Sequence, residues 1–365
     1  MHMRAFAATA TAVLALAGCQ AKPQLGAFGL AQDIGPVPAK GSVSYDAAKG
    51  VYSVTGGGRD IWAKSDDFFF VAKLASGDLD LAATLAWVTD SGDPHRKAGL
   101  MMRQNLNPDS PYVDIVVHGN HHVALQYRDM PGGDTHEIEA ILHGPGRFAL
   151  EREGDYVFMS VAGPDGVLHH AGGGYKIPFT GPYYVGLVVC AHDDKITKTV
   201  DFSDVTMDVP AATPKANLES TVETIDATTT YRAVVYQGSG RLTAPGWSAD
   251  GNSLTFNDND DKAMRVALPP DGGPMAAPVP LTGPAEAIGG VLFPSPDGKW
   301  IAAITPVPTD LVAPGLVDRT ITVAPAAGGE GRVLTRIIGG PGVMSTQPWS
   351  PDSKRLTFVS YRPVS

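Results

Sequence analysis

From Val43 to Met207 apolar and polar residues alternate in short runs that are broken by Gly, Asp, Asn and Pro, and a 3.6-residue period is almost absent. Each run is a predicted strand. The clearest cover residues 68–74, 79–89, 98–103, 112–118, 123–127, 148–152, 156–161, 183–191 and 198–207. Gly119-Asn120 and Glu153-Gly154-Asp155 supply residues that tolerate positive φ, which predicts a hairpin at each place. Strands with no helix between them must stack as antiparallel sheets, so residues 41–210 read as a β-sandwich.

A different pattern follows. Residues 211–225, rich in Ala and Thr with Pro214, read as a linker, and in residues 226–365 a short motif recurs. Trp247-Ser248-Ala249-Asp250-Gly251, Ser295-Pro296-Asp297-Gly298 and Trp349-Ser350-Pro351-Asp352 each lead into an apolar run, and the three serines lie 47 and 55 residues apart. That spacing is near the period of propeller blades, about 40 to 50 residues. A second piece repeats in phase: Val266-Ala267-Leu268-Pro269 runs to Leu281-Thr282, and Val323-Ala324-Pro325 runs to Leu334-Thr335. The motif residues have a structural job, because an Asp carboxylate accepts backbone N–H groups within a turn and Gly permits positive φ. Three motifs imply about three blades, whereas closed propellers have about four to eight. The exposed blade faces must then be covered, either by the sandwich or by a second copy in a six-bladed homodimer, and Trp247, Trp300 and Trp349 are expected to be buried.

Composition narrows the choice of class. With 365 residues and 43% hydrophobic residues, the chain can bury a core in each of two domains. Gly and Pro together make up about a fifth of it, consistent with many turns. The net charge of -10 belongs to the first half: residues 41–210 hold 13 Lys and Arg against 23 Asp and Glu, and residues 226–365 hold 11 against 12. This balance gives no electrostatic footprint for nucleic acid, so no nucleic-acid partner is expected. The N-terminus has Arg4, an apolar stretch over residues 5–17, and Leu16-Ala17-Gly18-Cys19, which looks like a bacterial lipobox. An apolar run of about 13 residues falls short of the roughly 20 that span a bilayer, so residues 1–19 read as a lipoprotein signal with Cys19 as the lipidated residue. Gln20 resembles the outer-membrane sorting pattern, which places the chain in the cell envelope, anchored to the membrane through Cys19. Residues 20–40 read as a flexible tether. Cys190 is then left without a partner for a disulfide.

Trp62, Asp66-Asp67-Phe68, Gly77-Asp78-Leu79, Lys97 to Arg103, Gln126-Tyr127-Arg128, Leu150 to Gly154, Asp165-Gly166 and Val185 to His192, in that order, resemble the DUF1349 type of concanavalin-like jelly roll. The resemblance implies a lectin-like two-sheet fold found in cell-surface and sugar-associated proteins, and it implies no single activity. After Asp165-Gly166 this chain departs from the pattern, with His169-His170 where the family often has Trp. The Ser-Pro-Asp-Gly element resembles the TolB-type WD40-like propeller. The expected fold is therefore all-β, a concanavalin-like sandwich followed by an incomplete propeller.

Candidate chemistry is sparse. Beyond the N-terminal segment all nine histidines lie between His95 and His192. His121 and His122 are adjacent on a predicted hairpin and point to opposite faces, and no acid accompanies them at ligand spacing, so they read as loop histidines and no metal site is expected. Asp90-Ser91-Gly92-Asp93 and Asp193-Asp194 offer too few oxygens for calcium. Glu137/Glu139 and Glu151/Glu153 each place two acids on one strand face, but Glu-x-Asp-x-x-Glu, Gly-x-Ser-x-Gly, a phosphate loop and His-Glu-x-x-His are all missing. No catalytic residue and no cofactor is expected. On a polar concave sheet face, strand parity brings together Arg103, Asp114, Gln126 and Arg128, either as structural ion pairs or as a sugar or peptide subsite with Trp87 or Tyr127 as a stacking face. The favoured reading is a non-catalytic envelope lipoprotein that binds a glycan or a protein through the sandwich. Its rivals are a scaffolding protein that works through the propeller-like half and a carbohydrate-active enzyme that uses one Glu pair.

Overall fold

The computed structural model describes residues 25–140, 146–164, 166–172, 174–177, 179–210, 217–248, 251–258, 262–268, 277–280, 292–307, 317–325, 330–340, 343–344 and 348–364. Among them every regular element is a strand. The signal region 1–19 with Cys19, the first residues of the tether, Asp165 and Asp250 lie outside the described residues.

Two sheets form the sandwich. The front sheet runs in the order Leu30–Ile34, Phe68–Ala75, Tyr183–Cys190, Lys97–Arg103, Tyr112–His118, Val123–Arg128, His136–Glu139. The back sheet runs Leu168–His170, Tyr156–Ala162, Arg147–Glu153, Leu79–Trp87, Asp193–Asp208, Val51–Gly58, Ser42–Asp46. Successive side chains on a strand point to opposite faces. Thus Ala98, Leu100 and Met102, Val113, Ile115 and Val117, and Val123, Leu125 and Tyr127 enter the core between the sheets, where they meet Leu81, Leu85, Phe148, Leu150, Met159, Val200 and Phe202. The alternate positions of the front sheet, Lys97, Met101, Arg103, Asp114, Gln126 and Arg128, turn outward. Both expected hairpins form, since Tyr112–His118 pairs with Val123–Arg128 and Arg147–Glu153 with Tyr156–Ala162. Gly154 sits at a φ of 58° in the second.

The tether reading needs correction from residue 25 onward. Leu30–Ile34 pairs with Phe68–Ala75 at the sheet edge, and Phe28, Ile34 and Val37 are buried. These three apolar side chains gain more from burial than a loose segment does from freedom. The expected linker also ends early, because Asn217–Asp226 is a strand with Val222 and Ile225 buried.

The second half is three blades. Thr243–Trp247, Ser253–Asn257, Ala263–Ala267 and Val279–Pro280 form one four-stranded sheet, and Leu292–Pro294, Trp300–Val307, Val317–Pro325 and Arg332–Gly339 form another. The third is closed by the two ends of this half: Arg232–Ser239 pairs with Asn217–Asp226, which pairs with Arg355–Val364, beside a bridge from Trp349 to Leu356. Its outermost strand continues the front sheet of the sandwich, since Arg232 and Ala233 pair in parallel with Ile138 and Glu139. Tyr156 and Phe158 of the back sheet share a core with Val222, Leu254, Phe256 and Tyr361. Arg362 reaches Glu151 at 2.5 Å and Glu153 at 2.8 Å, Tyr156 donates to Asp318 at 2.8 Å, and Lys176 pairs with the same carboxylate. The sandwich thus covers part of the arc. Trp349 is buried, but Trp247 is only partly so and Trp300 is 36% exposed, because Trp300 lies past its turn as the first residue of a strand.

Candidate functional site

Cross-strand register assembles the outward face of the front sheet. Met101, Asp114, Gln126 and Glu137 lie in one row across four strands, Arg103, Tyr112 and Arg128 in the next, and Lys97 opposite His118 at the far end. A loop from Asp60 to Asp67 folds over part of this face and closes one row. Arg128 donates to the two Asp66 oxygens at 2.7 and 2.9 Å, to Ala63 O at 2.9 Å and to Ser110 O at 3.1 Å. Arg103 donates to Asn105 O at 2.8 Å and Asn107 O at 2.6 Å and lies 3.4 Å from Asp66. Arg103, Arg128, Asp66 and Asp114 are all 0% exposed. The two arginines are therefore a buried ion-pair network that fastens the loop, and their carboxylate partner is Asp66 of that loop rather than Asp114 of the neighbouring strand.

The other expected ligand residues scatter. Tyr127 faces the core and stacks on Tyr175 with ring centroids 3.5 Å apart. Trp87 belongs to the back sheet, where the Arg96 guanidinium covers its ring at 4.7 Å. Asp114 is sealed beneath the face, and among the described residues neither of its oxygens has a hydrogen-bond partner. Burial pushes its carboxyl well above the usual range, against the pull of Lys97. Only Gln126 of the six borders open space.

That space is a cleft of about 330 Å³ at the uncovered end of the face, lined by Asp60, Trp62, His95, Lys97, His118, Asn120, His122, Gln126, Glu137 and His192. Lys97 Nζ donates to Asp60 Oδ1 at 2.7 Å and to Ile61 O at 2.8 Å, and it lies 5.1 Å from the centre of the Trp62 ring. His122 bridges two acids, with Nε2 3.0 Å from Glu137 and Nδ1 3.4 Å from Glu139. Gln126 Nε2 donates to the other Glu137 oxygen at 2.7 Å. On the far wall His192 lies 3.5 Å from Asp60 and 3.3 Å from Asp93, and 5.5 Å from His95 between ring centroids. Gly119 sets the entrance. A Cβ there would fall 2.3 Å from Arg96 Nη1 and 2.5 Å from Asp93 O, so only glycine lets the hairpin meet the segment that carries His95.

The two histidines on the hairpin are pushed in opposite directions. Burial, with Lys97 and His122 nearby, lowers His118 to about 3, so it is neutral. Burial also works against a charge on His122, but the hydrogen bonds and charges of Glu137 and Glu139 outweigh it and raise this ring to about 9, so it is a cation. Glu137 is held below its ordinary value by the same contact, against the effect of its own burial. The reading that no acid accompanies these histidines fails for His122, because its partners Glu137 and Glu139 come from the neighbouring strand, fifteen and seventeen residues away in the chain. Even so, among the described residues no three His, Cys, Asp or Glu side chains have an arrangement able to hold a metal ion. Both acid pairs are engaged: Glu137 and Glu139 by His122, and Glu151 and Glu153 by Arg362. What the cleft offers is one aromatic ring beside convergent polar groups, the general makeup of a small-ligand site. Trp62, Lys97, His118, His122 and Glu137 were not singled out together from sequence. The signals in the sequence were separate ones: the bunching of histidines between residues 95 and 192, the Glu137/Glu139 pair, and the presence of Trp62 and Lys97 in the jelly-roll resemblance.

The repeated turns of the blades are self-contained. Ser295 and Ser350 each donate to the Asp two residues on, Asp297 and Asp352, at 2.6 Å, and each accepts the backbone N–H five residues on, from Trp300 at 3.0 Å and Arg355 at 2.9 Å. Ser248 likewise bonds Ser253 at both N and O. Asp297 N donates to Ser353 Oγ at 3.0 Å, which ties one blade to the next.

No family model matches the chain, and no curated protein does. Among solved structures it is similar to a Saccharomyces cerevisiae protein of unknown function, at 16% identity over 50% of this chain and 98% of that one, with a TM-score of 0.39. It is similar to Cip1, a cellulose-induced protein, at 15% identity over 47% of this chain and 86% of that one, with a TM-score of 0.31. A TolB-type protein from Agrobacterium tumefaciens aligns at 16% identity over 74% of this chain and 99% of that one, with a TM-score of 0.18.

Proposed function

We propose that this chain is a non-catalytic envelope lipoprotein, anchored through Cys19, that binds a glycan in the cleft bordered by Trp62, His122 and Gln126. The observation that carries the reading is the meeting of a half-buried indole with convergent hydrogen-bonding groups in a cleft of about 330 Å³. A pyranose ring presents an apolar face to an aromatic side chain and hydroxyls around its edge, and this site offers a partner to each. The engagement of both acid pairs by cations favours binding over hydrolysis, which needs one carboxyl group free to give up a proton and another to attack or activate water. Titration of the full-length protein with neutral oligosaccharides tests the proposal. Saturable binding is expected, with Trp62→Ala weakening it by about three- to tenfold. Absence of binding across the neutral oligosaccharides overturns it. The anchor is tested separately by metabolic labelling with a fatty acid, which Cys19→Ser should abolish.

A further inference from the structure

The glycan reading leaves the chemical class of the sugar open, and the hydrogen-bonding inventory of the cleft narrows it. On the floor most of the buried donor capacity is already engaged, including two of the three protons of the Lys97 ammonium. Lys97 Nζ serves Asp60 and Ile61 O, and Gln126 Nε2 serves Glu137. Both ring nitrogens of His122 face carboxylates. The acceptors are in the opposite condition. The bond from Nε2 to Glu137 fixes the Gln126 amide and thereby identifies Oε1, which is buried and, among the described residues, has no partner. His118 adds a further acceptor: its Nδ1 lies 3.2 Å from the His122 carbonyl, which can only accept, so the ring proton sits on Nδ1 and Nε2 carries a lone pair.

Buried acceptors without donors are costly, and a ligand that supplies donors recovers that cost. An acidic ligand does the reverse. Recognition of a carboxylate usually relies on an open guanidinium fork, and here Arg103 and Arg128 on the same sheet face are closed by Asp66 and by backbone carbonyls. We propose that the cleft selects saccharides that present hydrogen-bond donors, hydroxyl or unsubstituted amine, and rejects those bearing carboxylates. This inference rests on the glycan reading of the same cleft.

Three tetrasaccharides on one backbone separate the possibilities when titrated into the full-length protein by calorimetry at neutral pH: cellotetraose, its fully C6-oxidised counterpart, and the β-1,4-linked glucosamine tetramer. The expected result is binding of cellotetraose and the glucosamine tetramer, with the oxidised form weaker by about tenfold or more. The comparison of these two shows whether hydroxyl or amine is the preferred donor. If the oxidised form binds as tightly as cellotetraose, the selectivity inference falls and the glycan reading stands. If none of the three binds, the glycan reading falls and takes the inference with it. In Gln126→Met, which removes the unpartnered oxygen, cellotetraose affinity should drop by about three- to tenfold with the circular dichroism unchanged. An unchanged affinity in that folded variant overturns the assignment of the acceptor.

Discussion

His118 and His122 stand four residues apart in one hairpin and sit on opposite sides of neutrality, which gives the molecule a pH profile that can be worked out from their surroundings. An imidazole raised to about 9 binds its proton more tightly in the fold than in the unfolded chain, whose ordinary value is 6.5, so the stabilisation from His122 is full below about 6.5 and is lost as pH rises through 9. His118, lowered to about 3, is neutral in the fold while the unfolded chain takes up a proton below 6.5, so its contribution is lost as pH falls from 6.5 toward 3. Glu137, with a depressed value, acts in the same direction as His118 on the acid side. Thermal melts across pH 4 to 10 should therefore trace a dome with its top near pH 6.5. His122→Gln should flatten the alkaline limb, and a profile in which that variant loses stability equally at every pH would refute the assignment. The sequence showed the histidines bunched together but not their charge states. Those depend on Glu137, Glu139 and Lys97, which reach the hairpin only through cross-strand register.

At the scale of elements, alternation and turn chemistry made the longer sandwich strands legible, Phe68–Ala75 and Tyr183–Cys190 among them, whereas Leu30–Ile34, Ser42–Asp46, Val51–Gly58, His136–Glu139, Leu168–His170 and Tyr175–Lys176 were not picked out. Asn217–Asp226 was hidden because its polar residues resemble a linker. Four of them, Ser220, Thr221, Glu223 and Thr224, are buried between neighbouring strands by register rather than by hydrophobicity. Glu223 is the centre of that arrangement: it accepts from Arg232 Nε at 3.0 Å and Nη2 at 2.6 Å, and Arg232 Nη1 donates on to Thr335 at 3.0 Å. All of this is sealed, with Glu223 and Arg232 at 0% exposure. Replacing one member strands the other charge in a dry interior. Arg232→Met should therefore destabilise the protein by about 3 to 5 kcal/mol, and pairing it with Glu223→Leu should recover most of that loss. Urea unfolding of the single and double variants checks both numbers, and a single variant that costs less than 1 kcal/mol would show that water reaches the pair.

The whole molecule is a sandwich and a three-bladed arc that share one sheet, and this sharing was not legible from sequence, since nothing in His136–Glu139 or Arg232–Ser239 marks them as partners. Removing residues 226–365 would expose the outer edge of the front sheet together with Tyr156 and Phe158, so the remaining sandwich should melt lower and associate through that edge. Light scattering and a thermal melt test this, and a truncated chain that stays monomeric with an unchanged Tm contradicts it. The closure of the third blade has a further consequence. Its central strand, Asn217–Asp226, is held on one side by Arg355–Val364, which enters the chain more than a hundred residues later. Contacts of such long sequence separation form late and slowly. A chain synthesised from its N-terminus can complete the two sandwich sheets early, but this blade must wait for Arg355–Val364 to emerge. Loss of Arg355–Val364 therefore leaves the central strand of this blade with an open edge, an intermediate of the kind that chaperones retain.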